Sequence, residues 1–209
     1  MSLGAPFLLA VVLLLAVACG GDKASRSGGW QAYPTEVPSD SIVIPALGID
    51  APVSLKRYQL NAPLPSPDKA QDVALYDFRV APRLGGSPGA GGNVILAARS
   101  LSEIACGAKA PPCEGAFFQL PRAKPGVPID LNWQGKAYRY QVVAVCNVAA
   151  AKFSDTLYLR TPSEQLTLLT GIGTVGDQGF SNLLIVIARP APVTNVEACP
   201  EGTNTGAAP

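Results

Sequence analysis

The chain has 209 residues, a formal net charge of +1 and no histidine. Its 16 Lys and Arg and 15 Asp and Glu are scattered, which excludes the basic footprint of a nucleic-acid binder and a polybasic patch for anionic lipid. The missing imidazole removes the one side chain that ordinarily titrates near neutrality, and with it the usual base for activating a Ser or Cys nucleophile.

Residues 1–18 read as a signal peptide. The run Phe7 to Val17 is apolar over about eleven residues, in the range of a secretory h-region and short for a bilayer span. It ends Leu15-Ala16-Val17-Ala18-Cys19, before Gly20-Gly21. These small residues before a cysteine resemble the bacterial lipobox, which implies lipidation of Cys19 and a membrane anchor. The n-region lacks Lys and Arg and Ala16 stands where Leu is more usual, so a conventionally cleaved, secreted chain is the alternative. Either reading exports the protein. Residues 19–40 are rich in Gly, Ser, Pro and charge without a hydrophobic period, the composition of a flexible tether. The remaining length suffices for one domain with a substantial core.

Short runs rich in Val, Ile, Leu and Tyr follow, punctuated by Pro and Gly. Strands are predicted at Ile42–Ile44, Asn93–Ala97, Pro128–Trp133, Tyr138–Val145, Thr156–Leu159, Leu166–Leu169 and Leu183–Ala188. Trp133 before Gln134-Gly135 reads as a residue flanking a hairpin turn. No segment shows a long helical period with caps, so the chain is predicted to be an all-β barrel or sandwich over residues 41–190. Residues 191–209 return to Pro, Gly, Thr and Ala, a tail held only if Cys199 is bridged.

Export places the cysteines in an oxidising compartment, where pairing is favoured over reactivity. Besides Cys19 there are Cys106, Cys113, Cys146 and Cys199, which allow three connectivities. The turn-like Gly107 to Pro112 favours Cys106 with Cys113, leaving Cys146 to tie Cys199 of the tail to a strand. Without histidine, and with cysteines paired, no metal site or cofactor site is expected.

Three blocks in order resemble sortases, the surface transpeptidases of Gram-positive bacteria. Ser41 to Val53 (SIVIPALGIDAPV) resembles their opening strand and turn, Gly92 to Ser100 (GNVILAARS) the strand ending in their AGH motif, and Thr161 to Gly171 (TPSEQLTLLTG) the strand leading into TLxTC. Ala74 to Phe78 (ALYDF) and Ala116 to Gly126 (AFFQLPRAKPG) resemble intermediate family segments, and the details lie nearest classes E and F. The resemblance covers about residues 40–189. It implies a closed eight-stranded barrel with little helix, in which a Cys thiolate, a His and an Arg meet at one end to perform transpeptidation.

At the matching positions this chain differs from the family at all three. Arg99, after Ala98 rather than Gly, stands for the His; Gly171, after Thr170, stands for the Cys; Phe180, in Gly179-Phe180-Ser181-Asn182, stands near the Arg. Arg189 lies at the far end of the same segment. The resemblance therefore implies a degenerate sortase, a pseudoenzyme that binds a peptide or a cell-envelope protein, with Ala98, Arg99, Thr170 and Gly171 as candidate groove residues. Arg99 could grip a carboxylate by a bidentate pair or be an ordinary surface arginine; Gly171 could open the groove or permit a turn. The alternative function is an active transpeptidase or hydrolase with a relocated nucleophile such as Cys106 or Cys113. Without a proton acceptor, the Thr170 hydroxyl is expected to be inert as a nucleophile.

Overall fold

The structure, a computed structural model, describes residues 39–102, 113–176 and 179–205. Cys19, Cys106 and the expected Cys106–Cys113 pairing lie outside the described residues.

Twelve strands occur among the described residues: β1 (Ser41–Ile44), β2 (Ile49–Arg57), β3 (Val73–Asp77), β4 (Gly86–Ser87), β5 (Gly91–Ala97), β6 (Leu101–Ser102), β7 (Cys113–Glu114), β8 (Pro128–Trp133), β9 (Lys136–Ala149), β10 (Gln165–Gly176), β11 (Gly179–Pro190) and β12 (Asn204–Thr205). Eight of them form the barrel in the order β10-β11-β9-β8-β1-β2-β3-β5, and a parallel β5–β10 seam closes it. The predicted all-β, eight-stranded closed barrel is what the chain forms. The helices among the described residues are 3-10 turns of three or four residues.

The barrel follows from period-two burial. On β5, Val94 and Leu96 join the inner core while Ile95 joins an outer layer, and on β10 Leu166 and Leu168 point in while Leu169 points out. Inner and outer faces are both apolar there because further chain covers the outer one. That cover includes Tyr58, Phe78 and Tyr158, with ring centroids 5.0 Å apart for Tyr58–Phe78 and 5.9 Å for Phe78–Tyr158. Trp133 is buried at the end of β8, and the turn beyond it has Gln134 and Gly135 at φ 50° and 74°, the paired positive dihedrals of a tight hairpin.

One expected strand is different. Thr156–Leu159 has strand-like composition, yet Asp155–Tyr158 forms a 3-10 turn capped by the Ser154 side chain, which accepts from the Thr156 N–H at 3.3 Å. A cap satisfies the first free N–H groups locally, and burial of Tyr158 then holds the turn against the barrel. Three polar side chains dock it: Asn93 donates its carboxamide hydrogens to the Leu157 and Leu159 carbonyls at 2.9 and 3.3 Å, and Thr167 and Gln165 donate to the Asn93 oxygen at 2.6 and 3.3 Å.

The segment after β11 lies against the outside of β9. Cys199 is bonded to Cys146, as expected, across a sequence separation of 53. Arg189 makes a two-armed ion pair with Glu197 at 2.8 Å for each arm, and β12 pairs with β9 at Asn147 and Cys146.

Strand direction sets the two ends of the barrel. β1, β5, β9 and β10 run one way and β2, β3, β8 and β11 the other. The end reached by β5 and β10 therefore also holds the start of β11, whereas Ser41, the Trp133–Lys136 turn and Arg189 lie toward the opposite end.

Candidate functional site

The segment leaving β5, the distal half of β10 and the start of β11 enclose one groove of about 290 Å³. Ala98, Arg99, Thr170, Gly171 and Phe180 all line it. Residues that lie 81 positions apart in sequence, from Arg99 to Phe180, thus meet in one place because β5 and β10 are paired in parallel and β10 and β11 form a hairpin.

The backbone around Arg99 is held on both sides. The Ala98 N–H donates to the Leu169 carbonyl at 3.2 Å, and the Arg99 carbonyl accepts from the Phe117 N–H at 3.0 Å. Gly115 donates to the Ser100 carbonyl at 2.8 Å, and a Cβ on Gly115 would lie 2.1 Å from the Arg99 carbonyl oxygen. Only glycine permits that approach. Arg99 is thereby presented by a rigid backbone rather than by a free loop.

Two hydroxyls tie the strands together. Thr170, buried, donates to the Ala98 carbonyl at 2.9 Å, and Ser100, also buried, donates to the Gly171 carbonyl at 2.5 Å. Both hydrogens are committed to backbone oxygens, and among the described residues the groove lining contains no Asp, Glu, Lys or Cys. Ser100 does not line the groove but fixes the Gly171 backbone, a role that only its place one residue after Arg99 could have signalled.

Gly171 and Phe180 interlock. A Cβ on Gly171 would fall 2.1 Å from Phe180 Cδ2 and 2.5 Å from Cγ, far inside any tolerated contact. Unlike Gly173 and Gly179, which have φ of 84° and 92°, Gly171 shows no positive φ, so its missing side chain serves space rather than backbone conformation. The aromatic ring occupies the volume into which any side chain at 171 would project.

The rest of the lining is mostly apolar, with the hydroxyls of Ser66, Tyr76 and Tyr158 among it. Leu64, Pro67, Leu101, Leu169 and Leu183 line it together with Phe153 and Tyr158, whose rings meet edge to face at 5.4 Å. Arg99 is the only charged residue in the lining among the described residues. Its terminal nitrogen donates to the Pro67 carbonyl at 3.4 Å, a long bond, and its Nε is buried without a partner. Asp68, beside Pro67, is paired with Lys56 at 2.6 Å.

A larger cavity of about 480 Å³ lies at the opposite end, bordered by Leu55, Trp133, Lys136 and Tyr138. Its Asp77 is already paired with Arg79 at 2.6 Å, and that guanidinium holds the Asp77 carboxyl below the usual carboxylate range. None of the candidate site residues borders it. Arg189, engaged by Glu197, also belongs to that end and is remote along β11 from Phe180.

No protein-family model matches the sequence, and no curated protein matches it. Solved structures do match. Sortase A of Listeria monocytogenes is 14% identical with a TM-score of 0.52, over 73% of this chain and 86% of that one. The fold is that of a sortase. A lid mutant of sortase A from Corynebacterium diphtheriae is 20% identical with a TM-score of 0.50, over 75% and 71% of the two chains. A sortase D5 transpeptidase of Clostridium perfringens is 13% identical with a TM-score of 0.51, over 74% and 79%. In this chain the groove lined by Arg99, Gly171 and Phe180 lies at the end of the barrel where β5 and β10 finish.

Among the described residues no helix is long and apolar enough to cross a membrane, and no group of three or more acidic, Cys or His side chains is placed to hold a metal ion.

Proposed function

We propose that this chain is an exported sortase-fold domain, anchored by a lipidated Cys19, that binds an extended peptide or cell-envelope protein segment in the Arg99 groove without cleaving it. In this reading Arg99, Gly171 and Phe180 stand where class E and F sortases carry their His, Cys and Arg. The observation that carries it is the Phe180 ring seated 2.1 Å from where a Cβ at residue 171 would begin. A covalent mechanism run from that position needs a thiol or hydroxyl there, and among the described residues the groove lining holds no carboxylate, amine or thiol to act as nucleophile or to activate the hydroxyls of Ser66 and Thr170. What it does offer is an apolar trough with one cation, the composition of a recognition site in which aliphatic and aromatic walls supply affinity and one polar group sets orientation.

Incubation of the purified chain with sorting-type peptides and an amine acceptor is expected to give peptide binding and no new amide product. Turnover that disappears when Cys106 and Cys113 are both changed to Ala would replace this reading with that of a transpeptidase using a relocated thiol. Anchoring is tested separately: radiolabelled palmitate should enter the wild-type chain and not Cys19→Ala, and equal labelling of both would remove the anchor from the proposal.

A further inference from the structure

Resting on the peptide-groove reading, we infer that the groove captures the free C-terminal carboxylate of a peptide whose last residues are apolar, with Arg99 as the carboxylate clamp.

The inference comes from an imbalance of charge. Arg99 is a permanent cation, held by a fixed backbone, in a lining that contains no acid among the described residues. Its one hydrogen bond to Pro67 is long, and its Nε is buried with no partner. The acid nearest in sequence to Pro67, Asp68, is occupied by Lys56. An incoming carboxylate can take one hydrogen from each of the two terminal nitrogens together, the two-point geometry that guanidinium and carboxylate share and that a lysine lacks.

The surroundings select what carries the carboxylate. Leu64, Pro67, Phe153 and Leu183 offer apolar contact and no second ionic partner, so a zwitterion or a polyanion would leave charge uncompensated. About 290 Å³ lies at the lower limit for ligand clefts, which suits the end of a chain. A segment passing through would need room on both sides of the guanidinium. The Phe180 ring covers the Gly171 backbone, and the apolar residues preceding the carboxylate lie against Leu64, Pro67, Phe153 and Leu183.

The test uses the full chain in mild detergent and a pool of N-terminally labelled hexapeptides with apolar residues at the last two positions, made once as free acids and once as C-terminal amides. Fluorescence polarisation should show the acids binding about 10- to 100-fold more tightly than the amides, the range for one charge-assisted hydrogen-bonded pair. Arg99→Gln should reduce acid binding to the amide level, and Arg99→Lys should restore only part of it, with melting temperatures confirming that both variants fold. Equal affinity for acids and amides would overturn the carboxylate clamp and leave the groove reading standing. Binding of neither pool would overturn both. Competition by hexanoate at the affinity of the peptides would also overturn the inference, by assigning the clamp to a small free acid.

Discussion

Thr167 donates its hydroxyl hydrogen to the Asn93 carboxamide oxygen at 2.6 Å, across the one parallel seam that closes the barrel. Asn93 spends its own hydrogens on the turn that carries Tyr158, so a single buried amide joins the barrel seam to a wall of the groove. Asn93→Leu should destabilise the fold by about 1 to 3 kcal/mol, the cost of leaving buried carbonyls and hydroxyls unpartnered. Urea unfolding measures this, and loss of peptide binding at concentrations where the variant remains folded should accompany it.

The Gly171–Phe180 contact predicts a coupled pair. Gly171→Ala alone should cost about 1 to 3 kcal/mol as an overpacked site. In a Phe180→Ala background the same change should cost close to nothing. Chemical denaturation of the four chains gives the coupling, and additive effects would show that the ring is not what excludes a side chain at 171.

Removal of the Cys146–Cys199 bond, with its separation of 53 residues, should lower stability by about 4 kcal/mol on a loop-entropy estimate. Cys146→Ser/Cys199→Ser is the variant to melt. Amide exchange should rise at Glu197, whose N–H donates to the Val143 carbonyl of β9, and along the residues paired between β12 and β9.

Acid should loosen the same segment. The Arg189 guanidinium holds the Glu197 carboxyl below the usual carboxylate range, so this group contributes stability that is complete above the unfolded value near ~4.3. That contribution disappears as pH falls through the lower folded value. A pH series of denaturation midpoints should therefore show a smaller decline below about pH 4.3 for Glu197→Gln than for the wild type.

Alkali acts through a buried phenol. Burial pushes the Tyr76 hydroxyl up to about 12, and that hydroxyl donates to the Pro65 carbonyl at 2.8 Å beside the groove wall. A raised acid in the folded state gives stability that is present below the unfolded value near ~10 and is lost between there and about 12. Ultraviolet titration should show one tyrosine fewer ionising late in Tyr76→Phe than in the wild type.

Much of the barrel was legible because alternation and short apolar runs are local signals. β8, the centre of β9 and the centre of β11 can be read directly from their β-branched and aromatic residues. Thr156–Leu159 could not, because a capping serine and one buried tyrosine outweigh strand-like composition over so few residues. The floor of the groove was legible through its resemblance to motif-bearing strands, but its walls were not. Leu64, Pro67 and Phe153 come from irregular segments whose destination is set by the outer face they cover. The interlock of Gly171 with Phe180 depends on a hairpin whose register shifts between Ile172 and Val175, and nothing local announces where such a shift will carry a ring.

That interlock also orders the substitutions by which this chain could change. While Phe180 keeps its place, every replacement at position 171 meets a clash, so a side chain with any chemistry there can be accepted only after the phenylalanine has gone. Loss of the phenylalanine first would open a void over bare backbone with nothing gained. The two positions form a ratchet: each step back is disfavoured on its own, and the route to a reactive side chain at 171 runs through an intermediate inferior to what it replaces.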